Sequence, residues 1–181
     1  ATLPAVIQAY LIPEYKSDDW PALDLLSTIL GQGESSRLNV RLGREAKATV
    51  AAQAFAGVGP RRGPNVFLLF AVANQGVAID SVDRLLAAEA ARVAAEGVTE
   101  AELTKAKNAY RASTIQERQE ALAVAEALHT ADMYLGSYEA VNTLVDRYNK
   151  VTADDLKRVA ATYLRPENST VITIVPEASA K

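Results

Sequence analysis

The chain has no cysteine, one histidine and one methionine among its 181 residues, and aromatic side chains make up 6%. Without cysteine there is no disulfide, no thiolate metal site and no thiol nucleophile, a state compatible with either the cytosol or the periplasm. One histidine, His129 in LHTADMY, cannot supply the three protein ligands that a catalytic zinc needs, even with Asp132 three residues on. Its plain reading is a histidine on an ordinary helix. A single histidine also leaves a Ser–His dyad only one base, and no G-x-S-x-G elbow is present. No apolar run reaches the roughly 18 residues of a membrane span. Basic charge is not clustered either: 19 basic and 22 acidic residues interleave to a net charge of −3, against nucleic acid as a partner. There is no low-complexity tract, internal repeat, signal peptide or initiator Met. The expectation is a chain that begins partway through a longer product or after processing.

Apolar residues, chiefly alanine, make up 49% of the sequence, which favours helices and close packing. The organising stretch is Leu23 to Phe55. Leu23, Leu26, Ile29 and Leu30 recur at helical spacing, and Gly31 interrupts them as a residue that takes positive φ cheaply. Gln32 to Ser36 form a polar connection with a second glycine, Gly33. Ser35 or Ser36 then caps a helix carrying Leu38 and Leu42, and a β-prone run covers about 48–56.

Elsewhere AVIQAYLI (5–12), between Pro4 and Pro13, reads as a buried strand. Ser17, Asp18 and Asp19 supply caps for the first helix, with Pro21 in its first turn. The segment 57–64 is a turn, and NVFLLFAVA (65–73) follows as a strand whose unbroken apolar run suggests burial on both faces. Asp80 caps a helix ending at Gly97. Thr99 and Glu102 form a capping box for a long helix that extends with a bend to about Leu135. Shorter helices are expected at 137–149 and 152–164, the second capped by Thr152, and a strand at 170–175. The order β-α-α-β-β-α-α-α-α-β predicts a single α+β domain over 1–181, with a mostly antiparallel sheet of about four strands covered by helices.

Phosphate and acid–base motifs are absent. GQGESS lacks the third glycine of a dinucleotide fingerprint, the lysine of a P-loop and a preceding strand. Glu117, Glu120 and Glu126 read as a solvated helix face.

The string ILGQGESSRL (29–38) with VRLGREAKATVAA (40–52), EGVTEAELTKAKNAY (96–110) and VTADDLKRVAATYL (151–164) resembles the pitrilysin (insulinase-like) zinc peptidases. These are inverzincins related to the mitochondrial processing peptidases. The likeness spans nearly the whole chain and implies a metallopeptidase half-domain with a ferredoxin-like core. In that family an active half carries H-x-x-E-H and zinc, and an inactive half faces it across a chamber. The resemblance implies the bacterial, C-terminal, zinc-free half, with no cofactor of its own and zinc in a catalytic N-terminal half or partner subunit. It would close the chamber and orient extended peptide for hydrolysis elsewhere, and would cleave nothing alone. The periplasm is the implied location rather than the cytoplasm, and a homodimer is a further arrangement the likeness allows.

The inactive halves of the family often contribute an Arg and a Tyr to substrate. Those positions fall here on Gly43 and Val50, and neither side chain can donate a hydrogen bond to an oxyanion. Arg41 and Arg44 flank the first of them. The 31–33 turn resembles a shortened glycine loop for substrate handling, alongside its plain reading as a helix C-cap followed by an N-cap. Gly31, Gln32, Gly33, Arg41 and Arg44 are therefore the expected peptide contacts, with no catalytic residue and no metal ligand in the chain. The alternative expectation is an inactive scaffold of the same fold, like the core subunits of a respiratory complex.

Overall fold

Strand β1 (Ala5–Ile12) lies inside the sheet because its residues alternate toward two faces and pair along both edges. The structure is a computed structural model, and it describes residues 3–176. Helix α1 (Trp20–Gly31) and a π-helical segment (Asn39–Glu45) lead to β2 (Thr49–Ala56) and its hairpin partner β3 (Asn65–Ala73). Helices α2 (Ile79–Glu96), α3 (Glu100–Glu117) and α4 (Ala121–Thr130) follow. Short turns over 131–142, α5 (Leu144–Lys150) and α6 (Ala153–Tyr163) then lead to β4 (Ser169–Ile174). All three strand pairings are antiparallel, in the order β2-β3-β1-β4. This is the α+β, ferredoxin-like arrangement expected.

One face of the sheet is packed under α1, α2 and α6. Val6, Tyr10 and Ile12 of β1 and Phe67, Leu69, Ala71 and Ala73 of β3 are buried there with Leu23, Leu26, Leu30, Val82, Leu86, Leu156 and Val159. Gln8 is also buried. Its amide donates to the Asp83 carbonyl (2.9 Å) and carboxylate (2.7 Å), and it accepts from the Tyr10 hydroxyl at 2.8 Å. These bonds satisfy the Gln8 amide under α2. Burial, with the Asp83 charge beside it, pushes the Tyr10 hydroxyl up to about 12.

Several local expectations are corrected. Gly31 is the last residue of α1 and does not have positive φ; Gly33, at φ 78°, does. Gly31 is needed for space: a Cβ there would lie 1.9 Å from the Ala54 nitrogen in β2. Neither Ser35 nor Ser36 caps the next segment, which winds as a π-helix after Leu38. Asp19 occupies the N-cap of α1 without capping it, because its carboxylate is held by Arg158 and Tyr163 of α6, each at 2.7 Å. Helix α2 starts at Ile79, so Asp80 sits in its first turn and Ala78 precedes it. The long helix breaks at 118–120, where a polar stretch offers no apolar face to bury. Both reciprocal bonds of the Thr99–Glu102 box form, as do those of Thr152 with Asp155. Finally β3 is not buried on both faces: its residues alternate buried and half-buried.

Gly31→Ala is expected to destabilise the chain by at least about 3 kcal/mol, since backbone on both sides must shift. Gly43→Ala, where a Cβ meets nothing within 4 Å, should instead stabilise by about 0.5 kcal/mol. Urea unfolding of the two variants checks the contrast.

Candidate functional site

Alternation along the strands gives the sheet a second face that no helix covers among the described residues, and its rows follow from the register. Ile7 lies between Phe70 and Ile172, Ala9 between Leu68 and Thr170, and Leu68 pairs onward with Phe55. Leu11, Phe55, Ile172 and Ile174 are exposed, and Val66, Leu68, Phe70 and Val72 half-exposed. The result is a contiguous apolar sheet surface, the kind that marks an interaction face. Strands β2 and β4 form the edges of the sheet among the described residues.

Of the residues expected to touch peptide, Gly31, Gln32 and Gly33 lie at the C-terminal end of α1, and Arg41 and Arg44 on the π-helical segment that follows. Gly31 is buried against β2, while Gln32 and Gly33 are exposed. Asn39 Nδ2 donates to the Gly33 carbonyl at 2.9 Å, and Lys105 Nζ donates to Ser35 Oγ. Arg44 pairs with Glu34 at 3.0 Å, fastening the π-helical segment to the turn, and Arg41 pairs with Glu45 at 3.0 Å. Both arginines are solvent-exposed, so these pairs contribute little to stability and leave the guanidinium groups accessible. Gly43 faces open space. Val50 falls at a register shift between Thr49 and Ala51 and is exposed.

Arg37, inside the SSRL motif, was not singled out from sequence. Its Nε and Nη2 donate to the two carboxylate oxygens of Glu102 at 2.7 and 2.9 Å, and Nη2 also donates to the Gly97 carbonyl at 3.1 Å. The buried Glu89 carboxylate lies 3.7 Å away. This bidentate fork ties the segment after α1 to the α2–α3 junction. The Arg37 guanidinium, aided by the capping bonds from Thr99 and opposed by partial burial, holds the Glu102 carboxyl down at about 2. Burial pushes Glu89 up from the usual carboxylate range, offset by the nearby arginines. The available sequence signal was an arginine beside a buried leucine; its acidic partner is 65 positions away.

His129 is exposed near the end of α4, and among the described residues no group of three or more His, Cys, Asp or Glu side chains is placed to hold a metal ion. Nor is any helix of the described residues long and apolar enough to cross a membrane.

The family model for the peptidase M16 inactive domain matches residues 1–110. The chain belongs to that family. It is 29% identical to the zinc protease PqqE of Helicobacter pylori over 171 residues, which are 94% of this chain and 38% of that protein. The crystal structure of a protease from Helicobacter pylori superposes with a TM-score of 0.88 at 26% identity, over 97% of this chain and 42% of the other. An inactive peptidase domain from Bordetella parapertussis superposes at 0.89 with 24% identity, over 100% of this chain and 95% of its own. The chain thus spans about two fifths of the Helicobacter proteins and nearly the whole of the Bordetella domain. The fold likeness carries the M16 inactive-domain architecture past residue 110, through α4 to β4.

Removing the fork by Arg37→Met should cost about 2–3 kcal/mol, because Glu89 and Glu102 lose their shared cation while partly buried. Glu102 is depressed in the folded state, so its contribution is full above its unfolded value near 4.5 and disappears as pH falls toward 2. The stability gap between wild type and Arg37→Met should therefore narrow between pH 5 and pH 2 in urea titrations. A gap independent of pH would refute the assignment.

Proposed function

We propose that the chain, over 1–181, is the C-terminal, zinc-free half of a bacterial zinc metalloendopeptidase. It closes a chamber against a catalytic half that supplies zinc and the general base, and orients extended peptides for hydrolysis there. The observation that carries this reading is the apolar sheet face bearing Leu11, Phe55, Leu68, Phe70 and Ile172, with edge strands at β2 and β4. Extended peptide is held on such a surface by main-chain pairing at an edge and by pockets for alternate side chains. Gln32 and Gly33 at the end of α1, and Arg41 and Arg44 on the π-helical segment, are accessible to add polar contacts, with the backbone of Gly31 completing the turn. The periplasm is the compartment that goes with this reading.

A second reading, a scaffold without proteolytic output, is favoured by Gly43 and Val50, neither of which can hydrogen-bond a reacting carbonyl through its side chain. Both positions face solvent, so Gly43→Arg and Val50→Tyr can be introduced without steric conflict.

The deciding experiment combines this chain with the separately expressed upstream segment and assays chelator-sensitive cleavage of unstructured peptides. The expected result is activity only in the mixture. Leu68→Glu should reduce it at least about tenfold, a barrier change of roughly 1.4 kcal/mol, with an unchanged circular dichroism spectrum. Association without cleavage under any metal condition, not rescued by Gly43→Arg/Val50→Tyr, would establish the scaffold instead.

A further inference from the structure

On the helical side of the molecule, away from the open sheet face, a groove of about 980 Å³ runs between α1, α3, α4 and the β2–β3 hairpin. Its aromatic lining is unusual for so aromatic-poor a chain. Tyr110 and Tyr148 stack with ring centroids 3.5 Å apart and 8° between planes, and Tyr15 meets the edge of Trp20 at 5.1 Å. Among these rings sits one carboxylate, that of Asp24.

Asp24 is the single charged residue within α1, a helix otherwise apolar or hydroxyl-bearing. One oxygen accepts from the Tyr148 hydroxyl at 2.8 Å. The neighbouring Ser27 and Thr28 hydroxyls donate to the Asp24 backbone carbonyl and give the carboxylate nothing. A carboxylate has room for several donors, and this one receives one. Burial pushes its carboxyl above the usual range, and its charge in turn helps raise the Tyr15, Tyr110 and Tyr148 hydroxyls.

The charge balance of the groove points the same way. Glu117 and Glu126 line it as well, against one base, Arg118. That guanidinium is already donating to the Val141 carbonyl at 3.2 Å. The opposite wall is the apolar face of α4, with Val124 and Leu128; none of the ten residues of that helix is buried.

We propose that this groove is a binding site for a basic side chain, arginine or lysine, of a peptide. The cationic head sits against Asp24 and the tyrosine rings, and the aliphatic stem lies along α4. A cation supplies the donors that Asp24 lacks, gains from the ring faces, and carries an apolar stem suited to the α4 wall. The inference extends the peptide-holding reading to a surface outside the chamber face and rests on it.

Trp20, the chain's only tryptophan, lines the groove and reports on it directly. The test titrates the isolated chain with acetyl-Gly-Gly-Arg-Gly-Gly-amide and with the same peptide carrying citrulline, following Trp20 emission and calorimetric heat. The arginine peptide should saturate and the citrulline peptide bind at least about tenfold more weakly, the scale of one charge-assisted hydrogen bond. Asp24→Asn should lose a similar factor. Tyr148→Phe removes the one donor on Asp24 while keeping the ring, so arginine binding should be retained or tightened; it also serves if Asp24→Asn does not fold. Equal binding of the two peptides, Asp24→Asn binding arginine as tightly as wild type, weakened binding by Tyr148→Phe, or no saturable change overturns the proposal. The titration needs no catalytic half. A negative result beside active complementation removes the groove and leaves the chamber reading standing, and the converse pair of results does the reverse.

Discussion

The last turn of α1 lies on the backbone of β2 so closely that no side chain fits at Gly31. Much of the remaining arrangement depends on that approach. Helix α1 buries ten of its twelve residues and touches β2, α3, α5 and α6, so its position sets where those elements dock. It also forces the chain to leave the helix beside β2 and reverse through Gly33. The π-helical segment is then held back against the turn by Asn39 and Arg44. Arg37 completes the anchoring by reaching the α2–α3 junction. A steric constraint at one glycine and a bidentate ion pair together fix the segment between α1 and β2.

Much of this fold was legible along the chain. The limits of β1 and β3, the capping box at Thr99, the cap at Thr152, and the glycine ending α2 all emerged where local chemistry alone decides them. What escaped reading depended on distant partners. Asp19 has the composition of a cap, but its carboxylate belongs to α6. Arg37 carries no local mark of its role, since Gly97 and Glu102 lie far along the sequence. Gly31 was recognised as special for the wrong physical reason, because close approach and positive φ look identical in a sequence. The apolar run of β3 could not distinguish a strand covered on two faces from one whose second face is open. The aspartate in α1 was a readable signal for the groove, as a lone charge on an apolar helix.

The sheet is asymmetric in chemistry as well as in cover. Under the helices Gln8 is bonded to both Asp83 and Tyr10, while the buried Thr49 hydroxyl finds no partner. The opposite surface is apolar and carries few groups that fix a particular sequence. Such a division suits a surface that tolerates many extended chains, since main-chain pairing is indifferent to side-chain identity. On the proposed peptide-holding reading, selectivity would come from charged groups, those on the π-helical segment and along the groove beside α4.

The pairing of β1 with β4 has a consequence for how this protein comes into being. Ala5 finds its partner at Ile174, almost the full described chain away, while its other neighbour, Val72, is made much earlier. During synthesis β1 therefore leaves the ribosome long before one of its edges can be satisfied, exposing unpaired backbone beside Ile7, Ala9 and Leu11. Such long-range closure slows folding and lengthens the interval in which that edge is open to foreign strands. A nascent-chain chaperone that shields extended apolar segments would protect this product most during that interval.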